Sequence, residues 1–354
     1  MNKLKVESLA RKNIQKLKPY QAKEISCKIK LDANESPFAV KISDFISEIN
    51  IPLNRYPDPE AIVLRKALSK KIKLSYENIM LGNGSDELIY YLILTFGGPV
   101  LYPVPTFAMY GIIAQSVGVE AIECKLDKDF DIDDEKFLKL VKLKKPRLIF
   151  LSSPNNPTGN TFSTDKILKI IEFAQKNSSI VVIDEAYQPF SSEKGFLPFL
   201  KDYENLLILR TLSKIGFAGL RLGYLIGKKE FLHEINKVRL PYNIDSITQY
   251  VATEALNKFY PQIKKFISEI IKERQRVYKR LLKIKKLKVY PSEANFILLK
   301  LKNSKEVYKK LLKAGILVRD LSSMIDNALR VTIGTKEENE EFLKALETIL
   351  EEKG

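Results

Sequence analysis

Between residues 60 and 240, short apolar runs alternate with segments of helical apolar spacing, and this alternation leaves few folds open to the chain. The runs at 100–104, 147–151, 180–183 and 206–209 are aliphatic or β-branched and too short for buried helices. Helical spacing marks 60–73, and a helix is expected over 86–96, just after Gly82-Asn83-Gly84-Ser85. Strands that are apolar throughout are buried on both faces, as in a parallel sheet covered by helices. The C-terminal part reads differently. A long helix (262–286) precedes a strand (295–301), a helix (305–313), two strands (316–319 and 329–333) and a last helix (336–351). That order makes a smaller α+β unit. Residues 1–45 read as an arm with one short strand (28–32), ending at Asn34-Glu35-Ser36-Pro37. The expectation is therefore an α/β protein with a large domain (46–250), whose mainly parallel central sheet is covered by helices. A small α+β domain (251–354) is joined by the N-terminal arm (1–45). A chain of 354 residues is long enough for two packed domains.

Several function classes fall away on composition. Two cysteines, Cys27 and Cys124, are too few for a disulfide framework and are not spaced as metal ligands. The single histidine, His233, sits in a charged, helix-like stretch, so neither a histidine triad nor a zinc site is expected. No apolar run approaches the roughly 18 residues of a membrane helix. The opening Met-Asn-Lys-Leu-Lys-Val-Glu carries no apolar signal core. A cytoplasmic protein without a membrane partner is expected. The net charge of +16 raises the question of nucleic acid. The basic residues are spread along the chain, however, and many adjoin acidic ones, as in Lys272-Glu273-Arg274. A solvated, lysine-rich surface is expected rather than a nucleic-acid face, and its field suits an anionic substrate.

Polar residues gather where the strands end. The segment Arg210-Thr-Leu-Ser213-Lys214-Ile-Gly-Phe-Ala-Gly-Leu-Arg221 puts one lysine between an apolar run and a glycine-punctuated loop. A partly buried lysine amine can condense with an aldehyde cofactor. Ser213 and the fork of Arg221 can hold that cofactor's phosphate. Asp184 ends the run Val181-Val-Ile-Asp184-Glu-Ala-Tyr187, at the strand terminus where open α/β sheets bind ligands. A carboxylate there can pair with a protonated pyridine nitrogen, and Tyr187 can donate to a phenolic oxygen. The same two residues also suit a strand-end cap and a core tyrosine. Leu151-Ser-Ser-Pro154-Asn155-Asn156-Pro157-Thr158-Gly159 is a rigid turn whose asparagine amide can reach that oxygen from the other side. Gly82-Asn83-Gly84-Ser85-Asp86-Glu87 opens a helix, and the amides of a helix start favour phosphate. It lacks the Gly-Lys-Ser/Thr of a Walker loop. Phe107, in Pro105-Thr-Phe107-Ala-Met-Tyr110, can stack on a planar ring or simply pack in the core.

Together these motifs resemble the class I and II aminotransferases, pyridoxal 5′-phosphate enzymes of fold type I, over nearly the whole chain. Four of them resemble that family's histidinol-phosphate branch: Asn34-Glu35-Ser36-Pro37, Asn54-Arg55-Tyr56-Pro57-Asp58, Gly82 to Glu87, and Ser213 to Arg221. The resemblance implies that Lys214 holds the cofactor aldehyde. It implies Asp184 on the pyridine nitrogen, and Asn156 with Tyr187 on the phenolic oxygen. Ser85, Asp86 through its backbone amide, Ser213 and Arg221 would hold the phosphate, with Phe107 stacked on the ring. Phe107 departs from the tyrosine common at that position, so a hydroxyl is missing while the stacking face remains. Tyr56 is implied to reach the neighbouring subunit's cofactor phosphate, which makes the enzyme a homodimer with shared sites. Arg330 matches the arginine for the substrate's anionic end, Arg319 is a second candidate, and Tyr20 is implied to line the entrance. The implied reaction, in histidine biosynthesis, converts L-histidinol phosphate and 2-oxoglutarate to imidazole acetol phosphate and glutamate. Three alternatives stay open: an aromatic amino-acid aminotransferase, a threonine-phosphate decarboxylase, and a binding protein of the same fold without turnover.

Overall fold

The structure, a computed structural model, describes residues 6–19, 25–41, 43–46 and 49–351. Its strands fall into two sheets. The first strand, β1 (Ile29–Leu31), belongs to the smaller one. The next seven are β2 (Ile79–Asn83), β3 (Val100–Val104), β4 (Ala121–Lys125), β5 (Leu148–Ser152), β6 (Ile180–Asp184), β7 (Leu206–Thr211) and β8 (Leu222–Ile226). They form one sheet in the order β2-β8-β7-β6-β5-β3-β4. The ladders β3–β4, β3–β5, β5–β6 and β6–β7 are parallel, whereas β8 runs antiparallel to both its neighbours. The expected mainly parallel sheet covered by helices is borne out.

The apolar runs become central strands because both of their faces are covered. Leu148, Phe150 and Val182 pack in one buried cluster with Leu88, Leu92 and Tyr110. Ile149, Leu151, Val181 and Ile183 point the other way, into a cluster that includes Ile167, Ile170 and Ile171. Those isoleucines, with Ala174, recur at helical spacing along the helix Thr164–Lys176 and are fully buried. Each of these isoleucines contributes about 1.5–3 kcal/mol of burial free energy.

Three strands of this sheet, β2, β4 and β8, were not among the expected runs. β4 is an edge strand whose residues alternate between covered and exposed. β2 ends in Gly82-Asn83, which read as the start of a turn. Pairing with Gly223 and Leu222 of β8 holds them extended. The same strand extends β7 beyond its expected end, since Arg210 and Thr211 pair with Tyr224 and Gly223.

The smaller sheet adds β9 (Lys288–Val289), β10 (Phe296–Lys300), β11 (Ile316–Asp320) and β12 (Ala328–Thr332), in the order β1-β11-β12-β10-β9. β1 pairs parallel with β11, and the other ladders are antiparallel. The long helix spans Tyr260–Leu281, shorter at its end than expected because the chain turns to enter β9. Upstream of β1, Arg11 and Asn13 donate to the carbonyls of Ser116 and Gln115 at the end of the helix Met109–Val117. The N-terminal segment thus touches elements of both sheets. Among the described residues no helix is long and apolar enough to cross a membrane.

Candidate active site

Parallel β5, β6 and β7 bring their carboxyl ends side by side, with Ser152 opposite Asp184 and Asp184 opposite Leu209. Asp184 is buried at the end of β6. Its Oδ2 accepts the hydroxyl proton of Tyr110 at 2.6 Å, and its Oδ1 accepts the Ala186 N–H at 3.0 Å. Burial pushes this carboxyl up to about 6. The two hydrogen bonds oppose that rise, while the charges of Asp86 and Glu185 add to it. Tyr110 is itself fully buried, stacked on Phe150 at 4.8 Å and touched edge-on by Phe107 at 5.6 Å. Burial first, and then the charge of Asp184, hold its phenol well above its ordinary range, so it remains a donor.

The end of β7 and the start of the helix Gly84–Phe96 meet beside this carboxylate. Antiparallel β8 makes the meeting possible, because a Cβ on Gly223 would lie only 2.5 Å from the Ser85 nitrogen. The backbone of the helix start therefore rests directly on the strand. Arg221 adopts a left-handed conformation (φ 48°) and turns its guanidinium back over the same spot. Its Nη1 donates to Ser213 Oγ at 3.4 Å, and its Nη2 stands 4.0 Å from Asp86 Oδ2. Ser213 also accepts a hydrogen bond from the Thr211 hydroxyl at 2.9 Å. Lys214 is half-buried, with Nζ 3.4 Å from the Ala33 carbonyl and 5.8 Å from the centre of the Tyr187 ring. Burial pushes the Asp86 carboxyl above its usual range, against the nearby charges of Arg221 and Lys214.

The smaller sheet supplies the third side. Arg330 of β12 donates from Nη1 to Asn156 Oδ1 and from Nη2 to the Asp32 carbonyl, each at 2.6 Å. Its guanidinium carbon lies 5.2 Å from the Phe296 ring centre. With Asn156 Oδ1 accepting from Arg330, the amide nitrogen of Asn156 remains a donor for another group. Arg319 sits directly across the ladder from Arg330 but is exposed. Tyr56 lies apart from the cluster, exposed and stacked on Tyr242 at 4.5 Å. Tyr20 lies outside the described residues. Two residues without an expected role stand in the cluster: Tyr110 on Asp184, and Asn34, which donates to the Tyr187 hydroxyl at 2.9 Å. Both belong to quoted motifs, but nothing in their spacing revealed their partners.

These groups fit a pyridine ring carrying an aldehyde and a phosphate. Ser213, Ser85, the half-exposed Arg221 and the N–H groups of a helix start form a donor set for a phosphate. Asp86 Oδ1 is a buried acceptor without a hydrogen-bond partner in the same corner. At the other end, Asp184 is a buried carboxylate held at both oxygens, suited to a cationic ring N–H. A cleft of about 310 Å³ adjoins the Lys214 loop, lined from both sides by residues such as Ser213, Gly216 and Thr332. A larger cleft of about 580 Å³, beside the helix Lys229–Asn236, contains none of the candidate residues.

Comparison with known proteins agrees with this geometry. The model of the aminotransferase class I and II family matches residues 26–346. The chain is 40% identical to a histidinol-phosphate aminotransferase of Caldanaerobacter subterraneus, over 98% of this chain and 99% of that protein. It is 43% identical to the one of Aquifex aeolicus, over 94% and 96%. The crystal structure of the histidinol-phosphate aminotransferase from Clostridium acetobutylicum superposes with a TM-score of 0.84 at 29% identity, covering 92% of this chain and 99% of that one. An L-threonine-O-3-phosphate decarboxylase from Porphyromonas gingivalis reaches 0.79 at 25% identity, covering 91% and 99%. With the family model spanning nine-tenths of its length, the chain belongs to the class I and II aminotransferases.

Proposed function

We propose that the protein is a cytoplasmic, pyridoxal 5′-phosphate-dependent histidinol-phosphate aminotransferase of histidine biosynthesis. It would take the amino group of L-histidinol phosphate and pass it to 2-oxoglutarate, releasing imidazole acetol phosphate and glutamate. The observations that carry the reading are the Lys214 amine beside the Tyr187 ring, the Arg330 guanidinium of the smaller sheet on Asn156 of the larger, and the Asp184 carboxylate buried at the end of a parallel strand. The full-length similarity to proteins of that name supports the choice of substrate. On this reading the site lies between a large domain (46–250) and a small one (251–354), which the arm (1–45) joins.

When bound, the cofactor supplies an electrophilic aldehyde carbon and a cationic ring that accepts the electron pair freed at the substrate's α-carbon. The rest of the chemistry belongs to the chain's own side chains. Lys214 Nζ would hold the cofactor's aldehyde, and as a free amine it would take the proton from the substrate's α-carbon. Asp184 keeps the ring nitrogen protonated. Tyr187 and the amide nitrogen of Asn156 donate to the phenolic oxygen. Ser85, the Asp86 backbone N–H, Ser213 and Arg221 bind the phosphate, and Phe107 covers the ring face.

Arg330 binds the substrate's anionic end, with Arg319 across the ladder as a second cation. One anion pocket must then serve the phosphate of one substrate and the carboxylate of the other. Arg330→Leu should therefore lower kcat/KM for histidinol phosphate and for glutamate alike, by roughly 10- to 100-fold, the worth of hydrogen bonds to a charged group. Initial rates with each substrate varied in turn test this, and unchanged values for both would overturn the assignment.

Tyr56 reaches the partner subunit's cofactor phosphate in this reading, so two copies form a homodimer with shared sites. The exposed Tyr56, Tyr242, Leu53 and Leu240 support it, since an apolar set of this kind belongs at a subunit contact.

A further inference from the structure

We infer that Asn34 is a positioning residue that aims the hydroxyl proton of Tyr187 into the active site, an assignment that rests on the proposed contact between that hydroxyl and the cofactor. Asn34 opens the Asn34-Glu35-Ser36-Pro37 motif, to which the reaction assigns no role. It is buried, with φ at 56°, the left-handed region that asparagine tolerates better than most residues.

Its hydrogen bonds leave one consistent arrangement of protons. The backbone N–H of Asn34 donates to Thr332 Oγ1 at 3.0 Å. The Thr332 hydroxyl has a single proton, and Asn34 Oδ1, 3.2 Å away, is the acceptor the structure offers it. Turning the amide over would place Nδ2 against Thr332 and leave that buried hydroxyl proton without an acceptor, a cost of about 1–3 kcal/mol. The amide is therefore fixed with Nδ2 toward Tyr187, where it donates to the hydroxyl oxygen at 2.9 Å. The Asn34 carbonyl is held in turn by Asn295 Nδ2 at 3.0 Å.

Tyr187 is buried and its oxygen already accepts from Asn34. Its own proton cannot point back at that donor, so it is left for an acceptor other than Asn34, which the cofactor's phenolic oxygen would supply. With the amide reversed, Tyr187 would donate to Asn34 and present only a lone pair to the site. The polarity of the Tyr187 contact is thus set from the smaller sheet by Thr332, two residues along β12 from Arg330.

The test is the pH midpoint of the visible absorption band of the pyridoxal phosphate holoenzyme, a readout separate from turnover. A proton donated to the phenolic oxygen favours the form in which that oxygen is negative. Tyr187→Phe should therefore raise the midpoint by about one pH unit, the equivalent of one hydrogen bond to a charged group. Asn34→Gly keeps the left-handed backbone and deletes the amide. It should raise the midpoint by roughly half of that shift or more, and add nothing when combined with Tyr187→Phe. Thr332→Val, which leaves Asn34 in place, should give a smaller rise of the same sign. Two results would overturn the inference while leaving the cofactor reading intact. One is an unmoved midpoint in both Asn34→Gly and Thr332→Val while Tyr187→Phe shifts it. The other is an Asn34→Gly shift of equal size with and without Tyr187→Phe. A midpoint that Tyr187→Phe does not move, or the absence of any visible band, would defeat the underlying reading and the inference with it.

Discussion

Lys214→Ala should cut steady-state transamination by roughly 10⁴-fold or more, because one side chain performs two tasks. In the proposed reaction its amine would hold the cofactor's aldehyde and would also move the proton that turns an amino donor into a keto product. Neither buried neighbour can take over its role as nucleophile: Tyr187 is a phenol that accepts from Asn34, and Asp184 is a carboxylate held by Tyr110 and Ala186. Lys214→Arg should fail as well, since a guanidinium keeps the charge but is neither a nucleophile nor a base at neutral pH. Near-normal turnover in either variant would remove Lys214 from the mechanism. The proposed shared-site dimer sharpens the experiment. Mixed and reassembled with Tyr56→Ala, the Lys214→Ala protein should regain activity, because each hybrid dimer carries one site with both side chains intact. Failure of that rescue, with hybrid dimers demonstrated, would restrict Tyr56 to its own subunit.

Asp184→Asn should lower kcat by about 10²–10³-fold, the scale on which a fixed electrostatic partner acts at a developing charge. Asparagine keeps the shape but cannot hold a ring nitrogen in its protonated state. The carboxylate also has a signature without cofactor. Its folded-state value is raised to about 6 from 3.8, so the folded protein binds the proton more tightly than the unfolded chain does. Stability contributed by this group is present at low pH and is lost as pH climbs from about 4 through 6, by up to about 3 kcal/mol. Urea unfolding of the cofactor-free protein between pH 4 and 8 should show that decline, and Asp184→Asn should flatten it. Adding pyridoxal phosphate should restore stability to the native protein at pH 7 more than to the variant, because only the carboxylate gains a cationic partner. Parallel profiles for the two proteins would show that Asp184 is not the buried charge it is taken to be.

Much of this was legible in the sequence, for identifiable reasons. The central strands could be read because burial on both faces demands unbroken apolar runs, as in Ile180 to Ile183. The edge strand β4 was hidden because only every second residue is covered, and β8, though buried throughout, because its short apolar run directly follows the glycine-punctuated loop. The residues at the strand ends were legible for a related reason. An aspartate after four buried aliphatics, or a lysine after Leu206 to Thr211, is out of place unless something uses it. Asn34 and Tyr110 were not legible in that way. Their partners lie 153 and 74 positions further along the chain, and only the docking of one sheet on the other, or of a helix on a strand end, brings them together. Arg330 was picked out by resemblance. Its hydrogen bond to Asn156, 174 positions away, supplies the physical ground that spacing could not.

The most direct test of the account is a set of initial rates for the purified holoenzyme with 2-oxoglutarate as acceptor and histidinol phosphate, phenylalanine or threonine phosphate as donor. Histidinol phosphate should give the highest kcat/KM, by roughly tenfold or more over phenylalanine, because unlike phenylalanine it would offer Arg330 a phosphate dianion. A higher kcat/KM with phenylalanine, or carbon dioxide released from threonine phosphate without consumption of 2-oxoglutarate, would contradict it.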